Sequence, residues 1–174
     1  HWTRHRNDDD LSRVFAGPGA VRDQCVVADG GRWIIYYAGH HDRNRDTAAI
    51  YARTSDNLIA WSPWRIAESN TADGNGFIPE SPLVVKRGGR WYLFRTHGPR
   101  HGTYVFCSDD PLDFGQGHAT ESSPHFVRHL PIIAPEIVVT DDGREYITRI
   151  DDQQQGYCIR IAELRWEAQT AEGD

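Results

Sequence analysis

One phrase occurs three times in this chain: an acidic residue, an apolar run, a tight glycine turn and an aromatic run. The first copy is Arg22-Asp23-Gln24-Cys25-Val26-Val27-Ala28-Asp29-Gly30-Gly31-Arg32-Trp33-Ile34-Ile35-Tyr36-Tyr37. The second is Glu80-Ser81-Pro82-Leu83-Val84-Val85-Lys86-Arg87-Gly88-Gly89-Arg90-Trp91-Tyr92-Leu93-Phe94. The third is Ala134-Pro135-Glu136-Ile137-Val138-Val139-Thr140-Asp141-Asp142-Gly143-Arg144-Glu145-Tyr146-Ile147. Each reads as a β-hairpin with a carboxylate near the start of its first strand. The turn glycines Gly31, Gly89 and Gly143 fall 58 and 54 residues apart. A period of that size marks a blade or a solenoid unit.

Further strands are expected at Ala48–Thr54, Thr103–Cys107 and Tyr157–Leu164, each reached from its hairpin through a polar loop. No window keeps apolar residues at helical spacing beyond two turns, so the chain is read as all-β. The repeats run over about residues 21–61, 78–115 and 133–166 of one domain, 1–174. Consecutive meandering units of this length predict a β-propeller, with about three to four blades of a five-bladed type present. An ordinary β-sandwich is the alternative. Three units do not close a ring that needs roughly four to eight, so a further N-terminal segment or a second chain is expected to complete it.

The 174 residues carry a net charge of −6, and no basic stripe is available for nucleic acid. No run of 18 apolar residues exists, so no membrane-spanning helix is expected. Cys25, Cys107 and Cys158 form no close-spaced pair. They read as buried free thiols rather than a disulfide framework or a metal site. No cofactor or metal is implied by the residues.

In a propeller the start of each innermost strand faces the central funnel. Asp23, Glu80 and Glu136 lie seven to nine residues before their turn glycines. They are therefore expected to share a pocket there. Crowded carboxylates push at least one pKa upward, leaving a protonated acid beside an ionised one. Glycoside hydrolysis uses such a pair. Arg22 would hold Asp23 ionised. His40, His41, His97, Arg100 and His101 come from loops expected at the same end, and Trp33 adds a flat aromatic face suited to a sugar. The competing readings are solvated loop residues for the His and Arg set, and a structural ion pair for Arg22 and Asp23.

These motifs resemble the five-bladed β-propeller glycosidases of glycoside hydrolase families 43 and 32. The likeness rests on Arg22-Asp23, on Glu80-Ser81-Pro82 with its Gly88-Gly89-Arg90-Trp91-Tyr92-Leu93-Phe94 hairpin, and on Ala134-Pro135-Glu136-Ile137. Ser55-Asp56-Asn57-Leu58-Ile59-Ala60-Trp61 and Ser108-Asp109-Asp110-Pro111-Leu112-Asp113-Phe114 resemble a recurrent element of those enzymes. The resemblance implies a carbohydrate substrate, Glu80 as general acid, Asp23 as the residue that tunes it and clamps the sugar, and Glu136 as a further pocket residue. Gln24 stands where the family usually carries Pro. The family's first-blade aspartate, the base or nucleophile, would precede His1 on this mapping. A non-catalytic carbohydrate-binding module on the same scaffold is the second expectation.

Overall fold

Three antiparallel sheets follow one another along the chain in the computed structural model, which describes residues 1, 3–6, 10–40, 48–70, 79–97, 102–150 and 158–167. The first sheet is a meander of β1 (Arg22–Asp29), β2 (Arg32–His40), β3 (Ala48–Ser55) and β4 (Arg65–Glu68). The second repeats it with β5 (Glu80–Arg87), β6 (Arg90–Thr96), β7 (Thr103–Ser108) and β8 (Phe126–Leu130). The third has β9 (Ile133–Val139), β10 (Glu145–Ile150) and β11 (Ile159–Glu163). The first strand of each sheet is its inner one: β1 packs against β5, and β5 against β9. The sheets therefore fan out as blades from a shared edge.

Glycine chemistry sets the hairpins. Asp29 pairs with Arg32 and Arg87 with Arg90, leaving two-residue turns at Gly30-Gly31 and Gly88-Gly89. All four glycines have positive φ, between 56° and 94°. That is the turn geometry whose twist matches paired strands. Polar turn groups close the third hairpin differently, with the Gly143 amide donating to the Thr140 carbonyl at 2.8 Å.

The first two blades bury both faces, which is why their middle strands lack clean alternation. Ile34, Tyr36, Ala38, Ile50 and Ala52 of the first blade meet Val84, Trp91, Leu93 and Phe106 of the second. The opposite face of the second blade, Leu83, Phe94 and Val105, meets Ile137, Ile147 and Trp166 of the third. The far face of the first blade is covered by Phe15, Trp61 and Ile66. Beyond the third blade, Val138, Ile159 and Ile161 remain exposed.

Two strands, β4 and β8, have no counterpart in the sequence reading. Both are short, charged and outermost, and their residues follow positions 61 and 115 where the first two repeats were expected to end. The cysteines also differ from expectation. Cys107 is buried and Cys25 half-buried, but Cys158 is exposed, because it precedes β11, which among the described residues is the edge strand of its sheet. Among the described residues no group of His, Cys, Asp or Glu is arranged to hold a metal ion. No helix there is long and apolar enough to cross a membrane.

Candidate functional site

The mouth of the fold is the end where β1, β5 and β9 begin. Each of these strands carries a β-bulge at that end. Residues 23 and 24 lie opposite Tyr37 alone, 81 and 82 opposite Arg95, and 134 and 135 opposite Arg149. The first bulged residue has a left-handed backbone each time: Asp23 at φ 56°, Ser81 at 48° and Ala134 at 46°. Left-handed non-glycine residues cost of order 1–3 kcal/mol each, and they gather where function needs a special backbone. A bulge also redirects the neighbouring side chain. Pro82 and Pro135 fit here because a bulged inner strand has ladder positions that need no N–H.

Three groups meet at this mouth. Arg22 Nη2 donates to Glu80 Oε1 at 3.1 Å, and Arg22 Nε lies 3.5 Å from Asp23 Oδ2. The same Asp23 oxygen accepts the Ser81 amide at 3.1 Å. Asp23 thus caps the bulge that carries Glu80. The third blade solves the same problem another way, with the Ala134 amide donating to Thr96 Oγ1 at 2.9 Å. Thr96 Oγ1 also shares a hydrogen bond of 3.1 Å with Thr103 Oγ1.

The bulges define which residues are equivalent, and the acids are staggered. Arg22, Glu80 and Ile133 occupy one level, and Asp23, Ser81 and Ala134 the next. Glu136 falls level with Cys25 and Leu83, further down the strand. Its side chain is exposed, and its charge is felt at Cys25. Burial is the main cause of the raised Cys25 pKa; the Val84 amide opposes it, and the Glu136 carboxylate adds to it. A thiol held protonated is a poor nucleophile. Native-state alkylation at pH 8 is therefore expected to label Cys158 at least about tenfold faster than Cys25. Equal labelling by mass spectrometry would show Cys25 to be open.

The remaining expected site residues are dispersed. His40 ends β2 at the mouth and is half-buried against Gly19, where a Cβ would come within 1.8 Å of the His40 carbonyl oxygen. His97 is only 5 % exposed, so it is an interior residue rather than part of an open ring. His41, Arg100 and His101 lie outside the described residues. Trp33 is not brought to the mouth: it pairs with Ala28 and Ser55 beside the Gly30-Gly31 turn. Counting along β2 from Ala38, the partner of Arg22, that is roughly 17 Å away.

Sequence reasoning missed a buried polar cluster behind the mouth. Arg95 is fully buried and Glu68 is 2 % exposed, with Arg95 Nε 3.1 Å from Glu68 Oε2. That contact is coulombic, since its N–H does not aim at the oxygen. Arg95 Nη1 donates to His97 Nδ1 at 3.0 Å and Nη2 to Thr120 Oγ1 at 3.0 Å. Arginine has no acceptor, so His97 Nδ1 must be the acceptor and the ring is neutral. Asn70 Nδ2 reaches Thr120 Oγ1 at 3.2 Å. A signal was present in strand parity. Trp91, Leu93 and Arg95 share one face, so an arginine was being pointed into the core.

No known family pattern matches the chain, and no curated protein resembles it significantly in sequence. Solved structures do resemble it in fold. A thermostable family-43 glycoside hydrolase aligns at TM-score 0.59 and 20% identity, over 83% of this chain and 48% of that one. An endo-1,4-β-xylanase from Bacteroides thetaiotaomicron gives 0.58 and 18%, over 83% and 47%. An α-L-arabinofuranosidase from Clostridium thermocellum gives 0.54 and 21%, over 82% and 51%. The chain spans about half the length of these proteins. The likeness establishes the fold as β-propeller blades.

Proposed function

We propose that the mouth between β1 and β5 is a carbohydrate site. In this reading the chain is the acid-bearing part of a propeller that hydrolyses arabinose-, xylose- or fructose-containing saccharides. One observation carries it: Arg22 and Asp23 of one blade close on Glu80-Ser81 of the next, both through 3.1 Å contacts. Two carboxylates and a guanidinium on strained backbone are a suitable set for sugar hydroxyls. Glu80 serves as proton donor to the leaving oxygen, and Asp23 holds Glu80's strand and a hydroxyl of the sugar. Arg22, Glu136 and His40 line the approach. The likeness to glycoside hydrolases supports this assignment.

Hydrolysis needs a second catalytic group across the sugar from the acid. Asp23 shares Arg22 with Glu80 and so reaches the sugar from the same side. The 174-residue chain is therefore expected to bind arabinotriose or xylotriose while hydrolysing aryl-glycosides at background rate. Turnover that survives Glu80→Gln would remove the assignment.

A second reading is favoured by the Arg22 contact itself. A general acid must present its carboxyl to the leaving oxygen, whereas Glu80 Oε1 is already engaged by Arg22 Nη2 at 3.1 Å. A non-catalytic carbohydrate-binding module accommodates that directly. Titration separates the two. Arg22→Gln is expected to weaken trisaccharide binding about tenfold, roughly the worth of one charge-assisted hydrogen bond. Binding unmoved by Glu80→Gln but lost with His40→Ala supports the module.

A further inference from the structure

We propose that Arg95 is a positioning residue that aims Glu80 into the mouth, an inference resting on the carbohydrate-site reading above. Arg95 is the single residue opposite the Ser81–Pro82 bulge, and Glu80 pairs with its neighbour Thr96. Any shift of the Arg95 backbone is passed directly to the bulge. That backbone is pinned through the side chain. Nε faces Glu68 at 3.1 Å, Nη1 donates to His97 at 3.0 Å, and Nη2 donates to Thr120 at 3.0 Å. The guanidinium also lies over the Tyr104 and Phe106 rings at 5.6 and 5.4 Å.

The same cluster ties in the end of the first blade. Glu68 ends β4, and Asn70 Nδ2 lies 3.3 Å from His97 Nδ1 and 3.2 Å from Thr120 Oγ1. Glu80 is thus fixed through its ladder partner, whose neighbour Arg95 is held by this one set of side chains. Space-filling alone does not call for charges here, because apolar residues of similar volume often replace a buried ion pair without loss. A guanidinium that donates in two directions and faces a carboxylate in a third fixes an orientation, which a methionine side chain does not. Tyr37, opposite the first bulge, is anchored comparably: Arg53 Nε donates to its hydroxyl at 3.1 Å.

The test uses the intact chain carrying Glu68→Leu with Arg95→Met, and separately Arg95→Lys. Three signals are read: exchange of the Ser81 amide against that of Leu93, the 13C resonance of the Glu80 carboxyl, and the Kd for arabinotriose or xylotriose. The double variant is expected to stay folded with Leu93 exchange unchanged. Ser81 exchange should rise at least about tenfold, as its bond to Asp23 loosens, and the Glu80 resonance should move. Trisaccharide binding should weaken by a similar factor. Arg95→Lys keeps the charge opposite Glu68 but loses the fork, and should reproduce the Ser81 effect; it decides the matter if the double variant does not fold. A folded variant with Ser81 exchange and the Glu80 resonance unchanged overturns the proposal. Failure of the parent chain to bind either sugar instead overturns the carbohydrate reading, while the Ser81 and Glu80 signals still judge Arg95.

Discussion

Arg95→Met alone is expected to destabilise the chain by about 3–5 kcal/mol, whereas Glu68→Leu with Arg95→Met should fall within about 1 kcal/mol of the parent. The single change removes the guanidinium from beside a carboxylate that is 2 % exposed, deep between the first two blades. The guanidinium itself lies over the Tyr104 and Phe106 rings beside the first inter-blade core, a setting that solvates charge poorly, so removing it takes away a close counter-charge of the carboxylate. The double change removes both charges and replaces them with side chains of similar volume. His97 and Thr120 keep their contacts with Asn70 in either variant. Urea unfolding followed by tryptophan fluorescence gives both numbers. A double variant as unstable as the single one would mean that the cluster's other hydrogen bonds, not the charge pair, carry the interface.

This cluster marks where the sequence stopped being legible. The hairpins were readable because Gly30-Gly31 and Gly88-Gly89 supply positive φ that few other residues supply. The inner and middle strands were readable because their residues are β-branched or aromatic. β4 and β8 were not. Arg65-Ile66-Ala67-Glu68 and Phe126-Val127-Arg128-His129-Leu130 become strands only because β3 and β7 offer an edge to pair with. The acids show a finer limit. Counting back from the turn glycine tolerated an offset of one or two residues, and along a strand a one-residue slip changes the face. The bulges, invisible in the sequence, decide that Glu80 is level with Arg22 and that Glu136 sits deeper. The Arg22–Asp23–Glu80 grouping was nevertheless foreshadowed, since the repeat placed two blade starts side by side.

Trp166→Ala is expected to cost about 3 kcal/mol, and to release the third blade before the first two unfold. Trp166 lies past the last strand, yet its ring is 5.2 Å from Tyr92 and 6.2 Å from Phe94 across the blade boundary. Its Nε1 donates to Glu145 Oε2 at 2.7 Å, and Glu145 also pairs with Arg87 of the second blade. One side chain thus closes the apolar contact and orients the buried acid that bridges the blades. The first interface has a larger set of fully buried residues; the second rests on Leu83, Phe94 and Val105 with partly buried partners, Trp166 among them. Losing the indole therefore removes a large share of what holds β9 and β10 in place. Trp166→Phe keeps most of the packing and loses the hydrogen bond, so about 1–2 kcal/mol is expected. Hydrogen exchange reads the order of events: amides of Ile147 and Thr148 should lose protection in Trp166→Ala while those of Ile35 and Tyr36 keep it. Loss of protection in all three blades together would mean that they unfold as one cooperative unit and that the Trp166 contact is not a separable boundary.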